Sequence, residues 1–317
     1  MLHPIDLLCI DTHHVQRRKR MQELPDLTIY LEAMSQRFLD QPLVGLRVAN
    51  PFILRTAEPP ITSLLNRKVT GLRRVGKRLI LELEQDYFIL IHLMIAGRLK
   101  WHDAGHRIPG KIGLLAFDFP TGTMILTEAG QKHRASVHLI AGETNLTPFD
   151  PGGIDVLACT YDEFVAALSR ENHTLKRSLT DQRFLSGIGN AYSDEILFRA
   201  GISPMRQIRH LKEEQWQRLY EACKTVLAEW TDLLRQQSKG KFPAKVTAFH
   251  PEMTVHGKYK QPCAVCGYPV QRIRYANNEA NYCAKCQNQG NLLADRSLSR
   301  LLKKDWPKTL EELDSDG

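Results

Sequence analysis

The sequence predicts a multidomain α and β protein: a β-rich amino-terminal sandwich or barrel, then a helical segment, then a small cysteine hairpin. Three observations carry this. Short β-like runs crowd residues 43–139, apolar residues recur at helical spacing between 161 and 234, and four cysteines form C-x2-C, sixteen residues, C-x2-C. So many short strands within one stretch must bury their apolar faces against each other, and a sandwich or a barrel does this.

The elements follow in order. Residues 1–20 show no clear period and read as an extension. Asp26 is placed to cap a helix in which Leu27, Tyr30, Leu31, Met34 and Phe38 share a face. The β-like runs are Gly45–Ala49, Leu79–Leu83, Phe88–Leu93, Ile112–Phe117, Thr123–Thr127 and Ala135–Ile140. In the second run, Arg78, Ile80, Glu82 and Glu84 alternate only partly with Leu79, Leu81 and Leu83. Asp150-Pro151-Gly152-Gly153 signals a loop. Helices are expected over Tyr161–Ser169, His173–Asp181, Asn190–Arg199 and Lys212 to about Leu234, the last with an apolar face of Trp216, Leu219, Ala222, Cys223, Val226, Leu227 and Trp230. Tyr268 to Tyr282 reads as a hairpin turning near Asn277 and Asn278, and Leu298–Leu302 as a short amphipathic piece before an acidic end.

Composition excludes several classes. The 317 residues are 43% hydrophobic and 25% charged, which rules out a largely disordered chain. No run of about 18 apolar residues exists, so no membrane partner is expected. The first twenty residues end, rather than begin, with the basic Arg17, Arg18, Lys19 and Arg20, the reverse of a secretory signal. A cytoplasmic, nucleoid-associated monomer is the expectation. The net charge of +8 is concentrated: Arg235 to Lys285 holds nine basic residues and two acidic ones, a local excess of +7. That stretch fits a face for a polyanion such as nucleic acid, or a solvated surface.

Seven cysteines are present. Cys9, Cys159 and Cys223 read as ordinary part-buried thiols. Cys263, Cys266, Cys283 and Cys286 bring four thiolates to one tetrahedral ion, which points to one structural Zn2+; iron in the same cage is the alternative. With all four positions filled by sulfur, such a site shapes a fold and does no chemistry. The segment Phe184-Leu185-Ser186-Gly187-Ile188-Gly189-Asn190 is a glycine-punctuated turn into a helix. Its free N–H groups can donate to a phosphate, with the Asn190 amide adding a contact, or the segment is a tight turn with Asn190 as cap.

Four features together resemble the formamidopyrimidine-DNA glycosylase and endonuclease VIII family. They are Gln22-Glu23-Leu24-Pro25-Asp26, the stretch Arg73 to Leu79 around Lys77, the segment Leu185 to Glu195, and His256-Gly257 followed by the four cysteines. The likeness runs from residue 22 to 287. It implies an amino-terminal β-sandwich catalytic domain (21–145), a helix–two-turn–helix DNA-binding domain with its linker (146–250), a zinc finger (251–290) and a tail (291–317). It also implies an enzyme of base-excision repair that flips a damaged base out of double-stranded DNA, cleaves its glycosidic bond and can cut the strand by elimination. Carried over, Glu23 matches the catalytic glutamate and Lys77 the conserved lysine. Asn190 matches the phosphate-binding asparagine, with Lys176 as a basic neighbour. Lys258, Arg272 and Arg274 fall on the DNA side of the finger.

The pattern also breaks. The nucleophilic amino-terminal proline of the family matches Gln22, whose nitrogen is an amide in the chain as written. A Schiff base then needs the amine of Met21 or Gln22 freed by a start or a trim at that point, or a lysine, with Lys77 the first choice. The lesion-probing Met, Arg and Phe of the family match Ile95, Arg134 and Ala135, and its finger arginine matches Asn278. The leading reading is a DNA glycosylase, with AP lyase strand cleavage open. The alternatives are a non-catalytic binder of damaged or abasic DNA and, in third place, a zinc-dependent RNA module.

Overall fold

The structure, a computed structural model, describes residues 21–130, 132–243, 250–275, 278–294, 308–309 and 312. The extension with Cys9, the turn residue Asn277 and the segment Leu298–Leu302 lie outside the described residues.

Two four-stranded antiparallel sheets form the amino-terminal sandwich. One runs in the order β1 (Gly45–Val48), β6 (Gly113–Phe119), β7 (Gly122–Glu128), β5 (Gly97–His102); the other runs β2 (Val69–Val75), β3 (Arg78–Leu83), β4 (Tyr87–His92), β8 (Ser136–Ala141). The partial alternation in β3 has a physical cause. Leu79, Leu81 and Leu83 face the sandwich core, while Ile80 joins Phe88, Leu90, Ile140 and Leu146 in a second apolar cluster on the outer face. Residues 143–149 cover that outer face with a 3-10 turn. Strands β2 and β5 escaped the sequence reading. Both are edge strands; in β2 only Val69 is buried, so no apolar pattern marks it, whereas β5 alternates Leu99 and Trp101 with Arg98, Lys100 and His102.

Helix α1 (Leu24–Phe38) joins the two large domains. Leu27, Tyr30, Met34 and Phe38 pack into the sandwich, whereas Leu24 belongs to the core of the helical domain. Asp26 does not cap this helix, as its sequence position suggested. Glu23 is the N-cap and Asp26 sits in the first turn, its carboxylate accepting from the Glu23 N–H at 3.0 Å.

The helical domain comprises α2 (Tyr161–Leu168), α3 (Leu175–Thr180), α4 (Asn190–Ala200) and α5 (Glu213–Ser238). The α2 start carries a capping box between Thr160 and Glu163, and the apolar face foreseen for α5 is the one buried. Gly189 caps α4 and Asn190 is its first helical residue, so Asn190 is no ordinary cap. Beyond α5, β9 (Gln271–Tyr275) and β10 (Asn278–Tyr282) form the hairpin, followed by α6 (Ala284–Asn288). Cys159 and Cys223 are buried in the helical core. No helix among the described residues is long and apolar enough to cross a membrane.

Candidate active site

The chain brings its amino-terminal carboxylate to the start of α4. Glu23 is 3% exposed, and its two oxygens take three backbone donors: Gly189 N at 2.8 Å, Ala191 N at 2.9 Å and Tyr192 N at 3.1 Å. These are the orphan N–H groups of a helix start, where partial positive charge favours an anion. The sequence offered them to a phosphate; in the structure a side chain of the chain itself holds them.

Glycine is required on both sides of this contact. Leu24 N donates to Gly187 O at 2.9 Å, and Gly187 has φ +90 with Leu24 Cβ and Arg74 close by. A Cβ on Gly189 would lie 2.5 Å from Glu23 Oε1 and closer still to Lys77 Nζ. Lys77 thus reaches the same place. It sits in the tight turn Gly76–Lys77 between β2 and β3. Loss of hydration pushes its amine below the usual lysine value, and the Glu23 carboxylate partly opposes this. Asp26 is pushed up to about 7 by burial, with the neighbouring Glu23 charge adding to the effect and the Glu23 N–H bond opposing it.

Gln22 is also buried, and its Nε2 donates to Gly97 O at 3.1 Å. Its Oε1 is enclosed without a hydrogen-bond partner among the described residues. Met21 lies beside His92, with Sδ 3.5 Å from Nε2. Burial, with Arg78, Lys77 and His138 adding, lowers His92 to about 4, so it is neutral near pH 7.

Residues 21–134 match the family model for the Formamidopyrimidine-DNA glycosylase N-terminal domain, and residues 155–238 the model for the Formamidopyrimidine-DNA glycosylase H2TH domain. A formamidopyrimidine-DNA glycosylase of Thermus thermophilus is 30% identical over 280 residues, spanning 85% of this chain and all of that protein. The chain belongs to the formamidopyrimidine-DNA glycosylase family. A second relative, from Moorella thermoacetica, is 29% identical over 269 residues, covering 80% of this chain and 95% of its own. In fold, the chain resembles the Lactococcus lactis enzyme crystallised with FAPY-dG-containing DNA, with a TM-score of 0.74 at 24% identity over 84% of this chain and 100% of that one.

Within this glycosylase scaffold the remaining sequence candidates fall into three groups. Ile95 and Arg134 stand at one end of the sandwich, because Gly97 pairs with Glu128 and His92 with Ser136. Arg134 is exposed, and its backbone is pinned by Glu128, whose carboxylate accepts from Arg134 N at 2.9 Å and Ala135 N at 3.0 Å. Ala135 is buried and cannot probe a lesion. Lys258, Arg272 and Arg274 gather on the finger, where the Arg272 guanidinium lies 4.3 Å from the Tyr259 ring centroid and Lys258 Nζ donates to Pro251 O at 2.8 Å.

Lys176 is the correction. It is 1% exposed, and its ammonium donates to Asn190 O at 2.6 Å, Ser193 Oγ at 2.8 Å and Asp194 Oδ1 at 2.5 Å. All three donors are used inside the protein, so Lys176 fixes the turn and offers nothing to DNA. The side-chain amide of Asn190, by contrast, makes no hydrogen bond to a described residue.

Sequence reading missed what surrounds Lys176. Asp194 also meets His256 Nδ1 at 2.7 Å and Asn281 Nδ2 at 3.0 Å, tying α4 to the finger. Burial would raise its carboxyl, but Lys176 and His256 hold it below the usual range. Glu195 beside it accepts from the backbone N–H groups of Thr254, Val255 and His256. The signal was Ser193-Asp194-Glu195 itself, three consecutive polar residues that are all buried in α4. Cys263, Cys266, Cys283 and Cys286 place their sulfurs within 4.8 Å of one another. Four sulfurs on a tetrahedral zinc at about 2.3 Å would be roughly 3.8 Å apart. The observed Cys266–Cys283 and Cys263–Cys286 separations of 3.4 and 4.0 Å bracket that figure, so the cluster fits such an ion.

Proposed function

We propose that this chain is a base-excision repair DNA glycosylase that removes damaged bases from double-stranded DNA, with AP lyase action wherever an amine is free to attack. The observation that carries the reading is the Glu23 carboxylate, fixed by three N–H donors at the junction of sandwich and helical domain and adjoining the Lys77 amine. Fixed orientation suits proton transfer at a target brought to it.

Once the nucleotide is extruded, Glu23 takes a proton from water as its oxygen bonds to the sugar C1′ and the base leaves with the bonding electrons. In the lyase branch an amine replaces water at C1′; its nitrogen lone pair then expels the ring oxygen O4′, which takes up a proton as the ring opens, and the Schiff base is left at C1′. In the chain as written, the amine the geometry favours is Lys77, because desolvation raises its neutral, nucleophilic fraction. The amine of Met21 or Gln22 is the second candidate, since the family match starts at Met21. Arg134, Ile95 and Asn190 would meet the strand near the extruded nucleotide. Lys258, Arg272 and Arg274 would hold the backbone from the finger, whose four cysteines would bind one structural Zn2+.

One observation favours a second reading, a binder of damaged or abasic DNA without catalysis: the buried Gln22 stands where the family has its nucleophile. Glu23→Gln separates the two. Loss of base release with duplex binding retained supports the enzyme; unchanged release removes Glu23 from the chemistry. Borohydride reduction on abasic duplex, followed by peptide mapping, then identifies the amine. An adduct on Lys77 marks the relocated nucleophile, one on Met21 or Gln22 a terminal amine, and no adduct a water-only glycosylase.

A further inference from the structure

Phe52 is 80% exposed, the most exposed large apolar side chain among the described residues. It is also rigidly presented. Pro51 precedes it in a 3-10 turn, the Asn50 side chain accepts from Phe52 N at 3.1 Å, and Ile53 is locked in the sandwich core. A fixed, solvated aromatic ring loses little freedom on binding and gains the whole of its burial.

Its neighbours say where it points the chemistry. Leu54 bridges Val137 in parallel, Asn50 Nδ2 meets His133 Nδ1 at 3.3 Å, and Leu139 N donates to Thr56 Oγ1 at 2.8 Å. Each pair has the same offset of 83 residues. That register sets Phe52 level with Ala135, which is 2% exposed and too small to reach a partner. Lys132, His133, Arg134 and Arg55, on the same two segments, are exposed. This is the sandwich end to which Gln22, next to Glu23, is bonded through Gly97. A protruding aromatic among exposed basic side chains, at the sandwich end that also holds Gln22, fits a nucleic-acid strand with an unstacked base.

We propose that Phe52 is the stacking wedge of this chain: its ring packs against the bases flanking the extruded nucleotide while the exposed cations on these segments face the strand. This rests on the DNA glycosylase reading above. It makes Phe52, through its ring, a determinant of how well a disrupted duplex is told from an intact one.

The test uses the full chain and two duplexes, one intact and one carrying a tetrahydrofuran abasic analogue next to 2-aminopurine. Phe52→Ala is expected to lose about 5- to 150-fold in affinity for the abasic duplex, the span of one base–aromatic stack, and little for the intact one. It should also lose the 2-aminopurine quenching that the native protein gives. Phe52→Trp should restore both affinity and quenching. Because the side chain is solvated, neither variant should change the melting temperature. Native abasic-site affinity and quenching in Phe52→Ala overturn the proposal alone. A native protein that does not distinguish the two duplexes overturns the glycosylase reading and this proposal together.

Discussion

Gly189→Ala places one methyl group in the closest contact of the site. Its Cβ would stand 2.5 Å from Glu23 Oε1, closer than a Cβ can approach an oxygen. Lys77 is the flexible partner and can swing away; Glu23 cannot, because three N–H donors hold it. Relief requires the carboxylate to move by roughly 0.9 Å, taking a 2.9 Å hydrogen bond beyond bonding range. Each bond to a charged group contributes about 1.5–3 kcal/mol net, so losing one or two costs about 3 kcal/mol. Melting should fall by roughly 5 °C. Base release should drop by at least about 100-fold, the lower end of what proton transfer supplies. The assays are a thermal melt and single-turnover release from a damaged duplex. Gly110→Ala is the control, since nothing lies within 4 Å of its Cβ. A Gly189→Ala protein that melts and reacts like the native one would falsify the packed Glu23–Gly189–Lys77 arrangement. A destabilised variant with full activity would reduce Glu23 to a helix cap.

Three further outcomes follow from the same geometry. Asp26 keeps its proton in the folded state to about pH 7 against 3.8 for an ordinary aspartate, so its stabilising contribution is full below pH 4 and lost as pH rises to 7. Asp26→Asn should therefore gain on the native protein at pH 8 relative to pH 5, on the order of 5 °C in melting temperature; an equal gap at both pH values refutes the buried neutral carboxyl. Cys263→Ser, or a strong chelator, should release one zinc per chain and cut duplex affinity at least about tenfold, with sandwich amides still protected from hydrogen exchange; unchanged affinity in the metal-free protein counts against the finger as a DNA clamp. If Arg134, Lys258, Arg272 and Arg274 each neutralise a phosphate, log affinity falls with a slope near −3.6 against log salt, about 100-fold from 50 to 200 mM. A flat titration removes the basic face.

Much of this architecture was legible because central strands and long helices must repeat their apolar residues. Strands β3, β4, β6 and β7 and helices α1, α4 and α5 announce themselves in that way. The edge strand Val69–Val75 does not, since only Val69 is buried; Gly97–His102 does alternate Leu99 and Trp101 with Arg98, Lys100 and His102, and that pattern was missed. Site residues divide likewise. The four cysteines carry their own spacing, and Glu23 and Lys77 came through the family resemblance. What no local pattern shows is a partner 166 residues away, such as the N–H of Gly189 for Glu23. Lys176 was misread for the same reason: a lysine in a short helix looks solvated until Asp194 folds over it. A single exposed ring like Phe52 has no periodicity at all.

Glu23 therefore does two things with one carboxylate. It belongs to the helix that packs on the sandwich, yet its bonds are to the helical domain, and Leu24 beside it is buried there. Asp194, one turn into α4, connects that same helix to the finger through His256 and Asn281. A rigid line thus runs from finger to α4 to Glu23, and the buried Lys176 at its centre bonds both Asn190 O and Asp194. Such buried charges contribute little net stability against an apolar replacement, because desolvation offsets their attraction. Their value lies in geometry: two domains and a finger can dock in one arrangement only, and in that arrangement the Glu23 carboxylate is aimed and the Lys77 amine is dehydrated. Under the role proposed for Glu23, catalytic competence and interdomain docking are a single equilibrium, and a substitution anywhere along the line should be read out at Glu23 before it is seen in the stability of the sandwich.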